Sequence, residues 1–417
     1  MAQRGAGIGG TGGSGGVVTQ NQRRDLWTKL HRWLGLTAMA FLSIAALTGC
    51  ILCFAEPLDR AINRDLFVRP ANGAALQPLR AVEALRAAHP EWRVLSFPLN
   101  IAPGDTVPVE VGAASGAPPI AFDHVFVDRD DGHVAGSRSK TPGWDRRHIV
   151  EGIAQFHFNL LAGDWGRWLM GAMALAWFVS NLIGVYLTWP RKAPYWKTWK
   201  RMWRFSFKSM FARLMLDLHR STGLWLLIGV TVLAFTSVCL NFYSEAYEPM
   251  VTRIAPLKHT LFDRPAPFPN GDASPTLSFA DAVRLADTKA KTDRLGWAPA
   301  TAIYVPDWNL YGVTLTNDGR LNYRDLGPVY YYFDARDGRL AHIVDPYSDT
   351  AGLVMIRMLY PLHSGKVAGW PTVAVIFLLG LATLEMAVTG FYVWWKKRAS
   401  RVAAQKAAAQ RMAVAAP

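Results

Sequence analysis

The sequence predicts a membrane α-helical protein: four transmembrane helices forming two pseudo-twofold-related hairpins, each with a small α+β module outside the membrane. Three observations lead there. Four apolar runs are long enough to cross a bilayer, lysine and arginine collect in alternate segments, and the two halves of the chain repeat one another. The 417 residues are 51% hydrophobic and only 18% charged, against about 25% charge in a soluble domain. Three cysteines are too few for a disulfide framework, an iron–sulfur cluster or a structural zinc site. Glycine and aromatic contents exclude collagen-like, disordered and coiled-coil classes.

The first element is a glycine- and serine-rich leader, residues 1–25. Gly7, Gly9 and Gly12 have the spacing of a dinucleotide-binding loop, but no strand precedes them, so a flexible leader is expected. The apolar runs follow, roughly Trp33–Ala55, Trp168–Trp189, Gly223–Phe242 and Pro371–Trp395. Each has the 20 or so residues that cross a hydrocarbon core of about 30 Å. The first exceeds a signal-peptide core and lacks a small-residue cleavage site, so it reads as a retained helix. Most of the tryptophans near these runs stand at their ends, as an interfacial belt requires.

The net charge of +14 raises the question of nucleic acid, and its distribution answers it. Residues 1–32 carry five Lys/Arg against Asp25, the loop 190–220 carries nine against Asp217, and the tail from 396 carries six and no acid. The long loops 56–150 and 245–365 are slightly acidic. The positive-inside rule then puts both termini and the central loop in the cytoplasm and both long loops outside. Charge here is a topology signal, and no nucleic-acid partner is expected. The expected divisions are helix 26–56, outer module 57–150, pre-helix and helix 151–190, basic loop 191–212, helix 213–244, outer module 245–355, pre-helix and helix 356–398, and tail 399–417.

The repeat is detailed. Leu30-His31-Arg32-Trp33-Leu34-Gly35-Leu36 opens the first span, and Leu218-His219-Arg220-Ser221-Thr222-Gly223-Leu224 opens the third in the same register. His157 with Gly163 precedes the second span, and His363 with Gly369 precedes the fourth with the same spacing between histidine and glycine. The exits Gly184–Trp189 and Gly390–Trp395 keep the offset of that second pair. In the outer loops Val125–Gly132 and Tyr331–Gly338 both alternate apolar and polar residues and turn at Asp-Gly, as hairpins do. A helix is expected upstream of each, around Pro78–His89 and Phe279–Lys289.

Histidine in or beside a span costs free energy unless neutral, paired or ligated. Four of the ten histidines occupy repeated positions. Topology sorts them into an inner level, His31 and His219, and an outer level, His157 and His363, so partners can meet only between repeats. Two imidazoles from facing helices suit the axial positions of a six-coordinate haem iron, whereas zinc or copper wants further ligands that neither level repeats. Arg32 and Arg220 are placed to pair with haem propionates, and Gly35 and Gly223 to leave room for a flat macrocycle. The competing reading makes the histidines and arginines interfacial snorkelling residues and the glycines packing positions. Four histidines paired by repeat and by level favour haem.

Lesser candidates are the Cys50/Cys53 pair and Cys239, read as packing, and His148, a substitute ligand or an interfacial residue. Glu385 is an acid within the fourth span that could compensate charge with a proton. Trp177 and Phe178 lie between the levels. Tyr330–Tyr332 reads as strand, and His89, His124, His133, His259 and His342 as loop-surface residues.

The LHR openings, His157 with Gly163, and the two glycine-to-tryptophan exits resemble the PepSY-associated transmembrane proteins over roughly residues 23–398. That family includes iron-regulated inner-membrane ferric-siderophore reductases such as the ferrioxamine reductase. The resemblance implies PepSY-like periplasmic modules and two b-type haems per chain, on His31/His219 and His157/His363. It further implies a bacterial inner-membrane location and electron flow to a ferric siderophore or other ferric chelate. No flavin or nicotinamide motif is present, so the donor is a cytoplasmic partner, a quinol or a small reductant. A haem-bearing subunit for a partner enzyme, and a non-haem PepSY binding or regulatory protein, are the alternatives. The third span departs from the family pattern, with Ser221-Thr222 where an aromatic usually follows His-Arg.

Overall fold

A computed structural model describes residues 20–69, 76–321 and 324–414; most of the leader, with its glycine triplet, lies outside the described residues. Helix α1 (Gln20–Leu52) leads through α2 (Ala55–Ile62) and α3 (Arg64–Phe67) to α4 (Pro78–Ala88). Strands β1 (Trp92–Pro98), β2 (Val107–Ala113), β3 (His124–Val127) and β4 (Val134–Arg138) follow. The chain returns through α5 (Ile149–Asn159) and α6 (Gly163–Thr188), then α7 (Tyr195–Trp199). The second half runs α8 (Phe211–Trp225), α9 (Leu227–Asn241), α10 (Glu248–Ile254) and α11 (Phe279–Thr292). It continues with β5 (Ala298–Val305), β6 (Leu310–Thr316), β7 (Val329–Asp334), β8 (Leu340–Val344), α12 (Ala351–Ser364) and α13 (Trp370–Val414).

The two outer modules are not separate bodies. Among the described residues they form one antiparallel eight-stranded sheet, ordered β4-β3-β2-β1-β5-β6-β7-β8. In repeat terms the order is palindromic. The equivalent strands β1 and β5 pair across the centre, Ser96 opposite Ile303, Phe97 opposite Ala302 and Pro98 opposite Thr301. Each module alone would expose a strand edge to adventitious pairing, and joining the two removes both inner edges. One apolar core runs across the join, from Val94, Val109 and Val125 with Leu85 of α4 to Val313, Leu315 and Phe333 with Ala286 of α11. Phe97 of the first module meets Phe279 of the second edge-on, ring centroids 5.1 Å apart.

Local sequence explains the covering elements. Pro78 opens α4, where its missing N–H costs nothing. Ser278 and Asp281 form a reciprocal capping box on α11. Both expected hairpins are present, β3–β4 and β7–β8. Their turns use Gly132 and Gly338 at φ +77° and +74°, a conformation that side chains with a Cβ rarely adopt. His124 and His342 stand on strands rather than in loops, because β3 begins at His124 and β8 runs through His342.

In the helical part, α1 packs along α6 and α13, α6 along α9, and α8 along α13, while α5 and α12 lie against α1 and α9. Exchange of the two halves maps these contacts onto one another. Helices α1, α6 and α13 are each long and apolar enough to span a bilayer. The third span is not the single helix expected over 213–244. It breaks at Leu226, and α8 and α9 meet at 74°. Leu226 leaves helical geometry at φ −102°, ψ 10°. No proline causes the break; Ser221 and Gly223 stand just before it, a combination found at helix kinks.

Candidate paired-histidine site

The histidines meet between repeats. The rings of His31 on α1 and His219 on α8 have centroids 6.4 Å apart. Those of His157 on α5 and His363 on α12 are 6.3 Å apart. A metal about 2 Å from each imidazole nitrogen, with each ring centre about 1 Å further, sets two rings about 6 Å apart. Both ring separations match the spacing of two imidazoles that share one ion.

Every ring is held through Nδ1. His31 Nδ1 lies 3.1 Å from the Ser180 carbonyl and 2.9 Å from its Oγ. His219 Nδ1 lies 2.9 Å from the Met386 carbonyl and 3.3 Å from Thr389 Oγ1. Ser180 and Met386 are separated in the sequence by the same interval as Gly184 and Gly390, so the repeat extends to the acceptors. On the sheet side, His157 Nδ1 meets Thr48 Oγ1 at 2.9 Å and His363 Nδ1 meets Thr236 Oγ1 at 3.1 Å. These threonines are separated by the same interval as His31 and His219.

The acceptors decide the tautomers. A carbonyl oxygen can only accept, so His31 and His219 carry their proton on Nδ1. Thr48 donates its own hydroxyl to the carbonyl of Ile44 at 2.7 Å, and Thr236 to that of Val232 at 2.9 Å. Each hydroxyl is left to accept from the facing histidine. All four rings are thus Nδ1–H tautomers with a bare Nε2, which is how metal-binding histidines are prepared by their hydrogen-bond partners.

Glycines make room for the rings. A Cβ on Gly390 would stand 2.9 Å from His219 Cε1, one on Gly49 3.1 Å from His157 Cε1, and one on Gly184 3.5 Å from His31 Cε1. Thr48 follows His31 on the same helix, nearly five turns along, so the two levels lie about 25 Å apart at roughly 1.5 Å per residue.

The basic-side pair opens into a cavity of about 460 Å³ lined by His31, Arg32, Gly35, His219, Arg220 and Gly223, within the roughly 300–1,000 Å³ usual for cofactor pockets. Trp177, Met39 and Leu36 supply apolar wall, and Arg24 and Lys397 line it as well. A Cβ on Gly35 would meet nothing within 4 Å, and one on Gly223 only Met386 Sδ at 3.5 Å. Arg32 makes no ion pair among the described residues. Arg220 lines the same cavity but is bound to the buried Asp217, which Arg213 also contacts at 2.8 Å. Asp217 lies one turn before it on α8 and is shared between Arg213 and Arg220.

The remaining candidates lie apart from the ring pairs. Cys50 faces the α1–α13 seam, its Sγ 3.6 Å from the Phe377 carbonyl, and Cys239 sits in a small apolar cluster with Tyr247, Val251 and Leu359. Cys53 is a free thiol. His148 is tied to Asp145 at 2.7 Å, which holds it in the loop before α5. Phe178 packs against Phe235. The Glu385 carboxylate is buried beside Thr222 with no well-formed hydrogen bond. His89 stacks on Trp92, and His342 stacks on Tyr332 of β7 with its Nε2 buried and unpartnered. His124 pairs with Asp123 at 2.5 Å.

No cluster of three or more His, Cys, Asp or Glu suited to a metal ion occurs among the described residues. Each site therefore offers two neutral nitrogen donors. That donor set suits an iron whose equatorial positions are filled by a macrocycle, and at the basic-side pair the cavity gives such a group room. Residues that sequence reasoning missed are Thr48, Thr236, Ser180 and Thr389; continuing the register of the LHR motifs along the helices to Thr48 and Thr236 was the available signal.

Fold and site together define a multi-pass membrane protein built as an internal duplication around two interhelical histidine pairs, capped by one joined sheet. The sequence model of the PepSY-associated TM region matches residues 28–397, and the chain belongs to that family. A search of curated proteins finds no match.

Proposed function

We propose that this chain is a di-haem oxidoreductase of the bacterial inner membrane, with both termini cytoplasmic, that passes electrons to a ferric siderophore or other ferric chelate on the sheet side. The observation that carries the reading is the two histidine pairs at 6.4 and 6.3 Å, each with its free Nε2 set by a repeated acceptor. Haem b, when bound, supplies a one-electron iron couple at each level.

The chain's own residues do the rest. His31 and His219 present neutral nitrogens at the basic side, and His157 and His363 at the sheet side. The acceptors Ser180, Met386, Thr48 and Thr236 hold the rings and raise their basicity. Arg32, on the cavity wall and without an ion pair among the described residues, is placed to hold a propionate by a charge-assisted hydrogen bond. Leu36, Met39 and Trp177 exclude water from the basic-side cavity. Helix α1 ties the two levels together, carrying His31 at one and Thr48 at the other. The substrate is the ferric chelate: one electron converts Fe(III) to Fe(II), which hard oxygen donors hold more weakly, and the iron is released for uptake. The electron comes from a cytoplasmic partner or a quinol.

The test is the visible spectrum of detergent-purified protein, oxidised and then dithionite-reduced, with haem counted per chain. Two low-spin b-type haems are expected, falling towards one in His31→Ala or His157→Ala. Reduced protein should then be reoxidised by a ferric hydroxamate, with Fe(II) trapped by a colorimetric chelator. Colourless protein expressed with haem supplied would overturn the reading in favour of a PepSY binding protein. Haem without reoxidation would leave an electron-transfer subunit.

A further inference from the structure

The segment between the second and third spans combines exposed apolar side chains with a run of basic ones. Five tryptophans form a continuous chain through it. Trp189 touches Trp196 and Trp199 at 5.9 and 4.9 Å, Trp199 touches Trp203 at 5.2 Å, and Trp203 touches Trp225 at 5.1 Å. The chain is pinned to the spans at both ends: Trp199 Nε1 donates to Thr188 Oγ1 at 3.1 Å, and Trp225 Nε1 to the Trp203 carbonyl at 2.9 Å. The segment is therefore held against the bundle and does not project freely from it.

Its outer surface is unsuited to water. Trp196 is 64% exposed, Phe207 78% and Met210 83%. Around them stand Lys192, Lys197, Lys200, Arg201, Arg204 and Lys208, all exposed. None of the six has an ion-pair partner among the described residues, and no acid occurs between Pro190 and Leu216; Asp217 beyond is taken by Arg213 and Arg220.

We infer that residues 190–211 lie in the membrane interface as an anchor for anionic phospholipid, the lysines and arginines binding headgroup phosphates while Trp196, Phe207 and Met210 enter the acyl boundary. Exposed aromatics among unpaired cations are what an interfacial segment needs, and cations beside a bilayer draw acidic lipid. An acidic protein partner would match the charges but would leave the apolar side chains in water. The segment also joins α6 and α8, the helices bearing Ser180 and His219, so the anchor steadies both against the plane of the membrane.

The test uses the full chain in nanodiscs of phosphatidylcholine with or without phosphatidylglycerol. Phe207→Cys carries an environment-sensitive label, and the unsubstituted chain controls for labelling of Cys50, Cys53 and Cys239. Lipid-borne quenchers should dim the label, aqueous iodide should not, and phosphatidylglycerol should be enriched several-fold among co-purifying lipids. The quadruple variant K197Q/K200Q/R201Q/K208Q should lose that enrichment, and K197R/K200R/K208R should keep it. A label open to iodide in acidic bilayers, or enrichment untouched by the quadruple variant, would overturn the inference. A water-exposed label with binding of an acidic protein would point to that partner instead.

Discussion

Thr48 and Thr236 hold equivalent positions in the two halves of the chain, and each accepts the Nδ1–H of the histidine that faces it, His157 at 2.9 Å and His363 at 3.1 Å. The hydroxyls act as fixed acceptors because their own protons are committed to the helix behind them. A valine at either position keeps the shape and removes the acceptor. The imidazole N–H of His363 is then buried without a partner among the described residues, a cost of about 1–3 kcal/mol; that of His157 keeps only the Ala45 carbonyl, so its cost is smaller and its ring is held less firmly. Thr48→Val should therefore lower haem occupancy at the sheet-side level only, seen as loss or shift of one of two low-spin signals in electron paramagnetic resonance. Thr48→Ser should restore it. Equal loss at both levels would contradict the assignment of Thr48 to the His157 pair.

Gly184 and Gly390 are repeat partners, yet they are not equally tolerant. The Cβ of an alanine at 390 would stand 2.9 Å from His219 Cε1, closer than side chains pack, while one at 184 would stand 3.5 Å from His31 Cε1, an ordinary contact. His219 cannot retreat without giving up its bond to the Met386 carbonyl. Gly390→Ala should disturb the basic-side histidine pair and broaden its haem signal, and Gly184→Ala should leave the spectrum unchanged. Identical behaviour of the two variants would mean that the pocket adjusts around either glycine.

Much of this arrangement is legible in the sequence because it is repeated. Hydropathy finds the spans, and the constant intervals between equivalent motifs pair the histidines before any geometry is known. The hairpin turns at Gly132 and Gly338 are equally plain, since Asp-Gly after an alternating run has few other uses. The joining of β1 to β5 is not legible: each strand's pattern shows only that one face is buried, and which edge it meets half a chain away leaves no local mark. The break at Leu226 has no proline to announce it. Thr48 and Thr236 pass as ordinary helix hydroxyls bonding back to the preceding turn until His157 and His363 are placed beside them. Arg220 shows what a repeat does not reveal. Its repeat partner Arg32 suggests a shared role, but Asp217 binds Arg220 as well as Arg213, while the repeat-equivalent Lys29 beside Arg32 is basic.

Asp65 gives the sheet side a dependence on acid. Hydrogen bonds from Arg146, then the neighbouring Arg147, hold its carboxyl down at about 2, with Arg146 Nη1 at 2.9 Å. A carboxylate whose pKa is depressed by folding contributes stability above its unfolded value, near 3.8, and loses it as pH falls towards 2. These bonds tie α3 to the loop that leads into α5, the helix of His157. Protection factors for hydrogen exchange in residues 145–157, corrected for the intrinsic pH dependence of the exchange rate, should therefore fall between about pH 4 and pH 2. Asp65→Asn should show the lower protection already at pH 7, with a flatter profile below. An unchanged profile in that variant would place the acid sensitivity elsewhere.

Arg32 and Arg220 separate a cofactor contact from a structural one. Arg32 lines the cavity with no ion pair among the described residues, so Arg32→Gln should weaken haem retention at the basic-side level and leave the melting temperature of haem-depleted protein unchanged. Arg220 is bound to Asp217, whose side chain is only 8% exposed, while Arg213 on its other side is 57% exposed. Breaking a fully buried pair costs on the order of 3–5 kcal/mol; here the exposed Arg213 can still answer Asp217, so the loss should be smaller. Arg220→Gln should lower the melting temperature of haem-depleted protein, and Asp217→Asn should lower it similarly, because Arg220 is then half-buried with its partner neutralised. The paired measurement is haem dissociation to a scavenger such as apomyoglobin alongside thermal unfolding. If Arg220→Gln sheds haem as fast as Arg32→Gln without any loss of stability, Asp217 releases Arg220 to the cofactor, and the two arginines share the role that their repeated positions suggest.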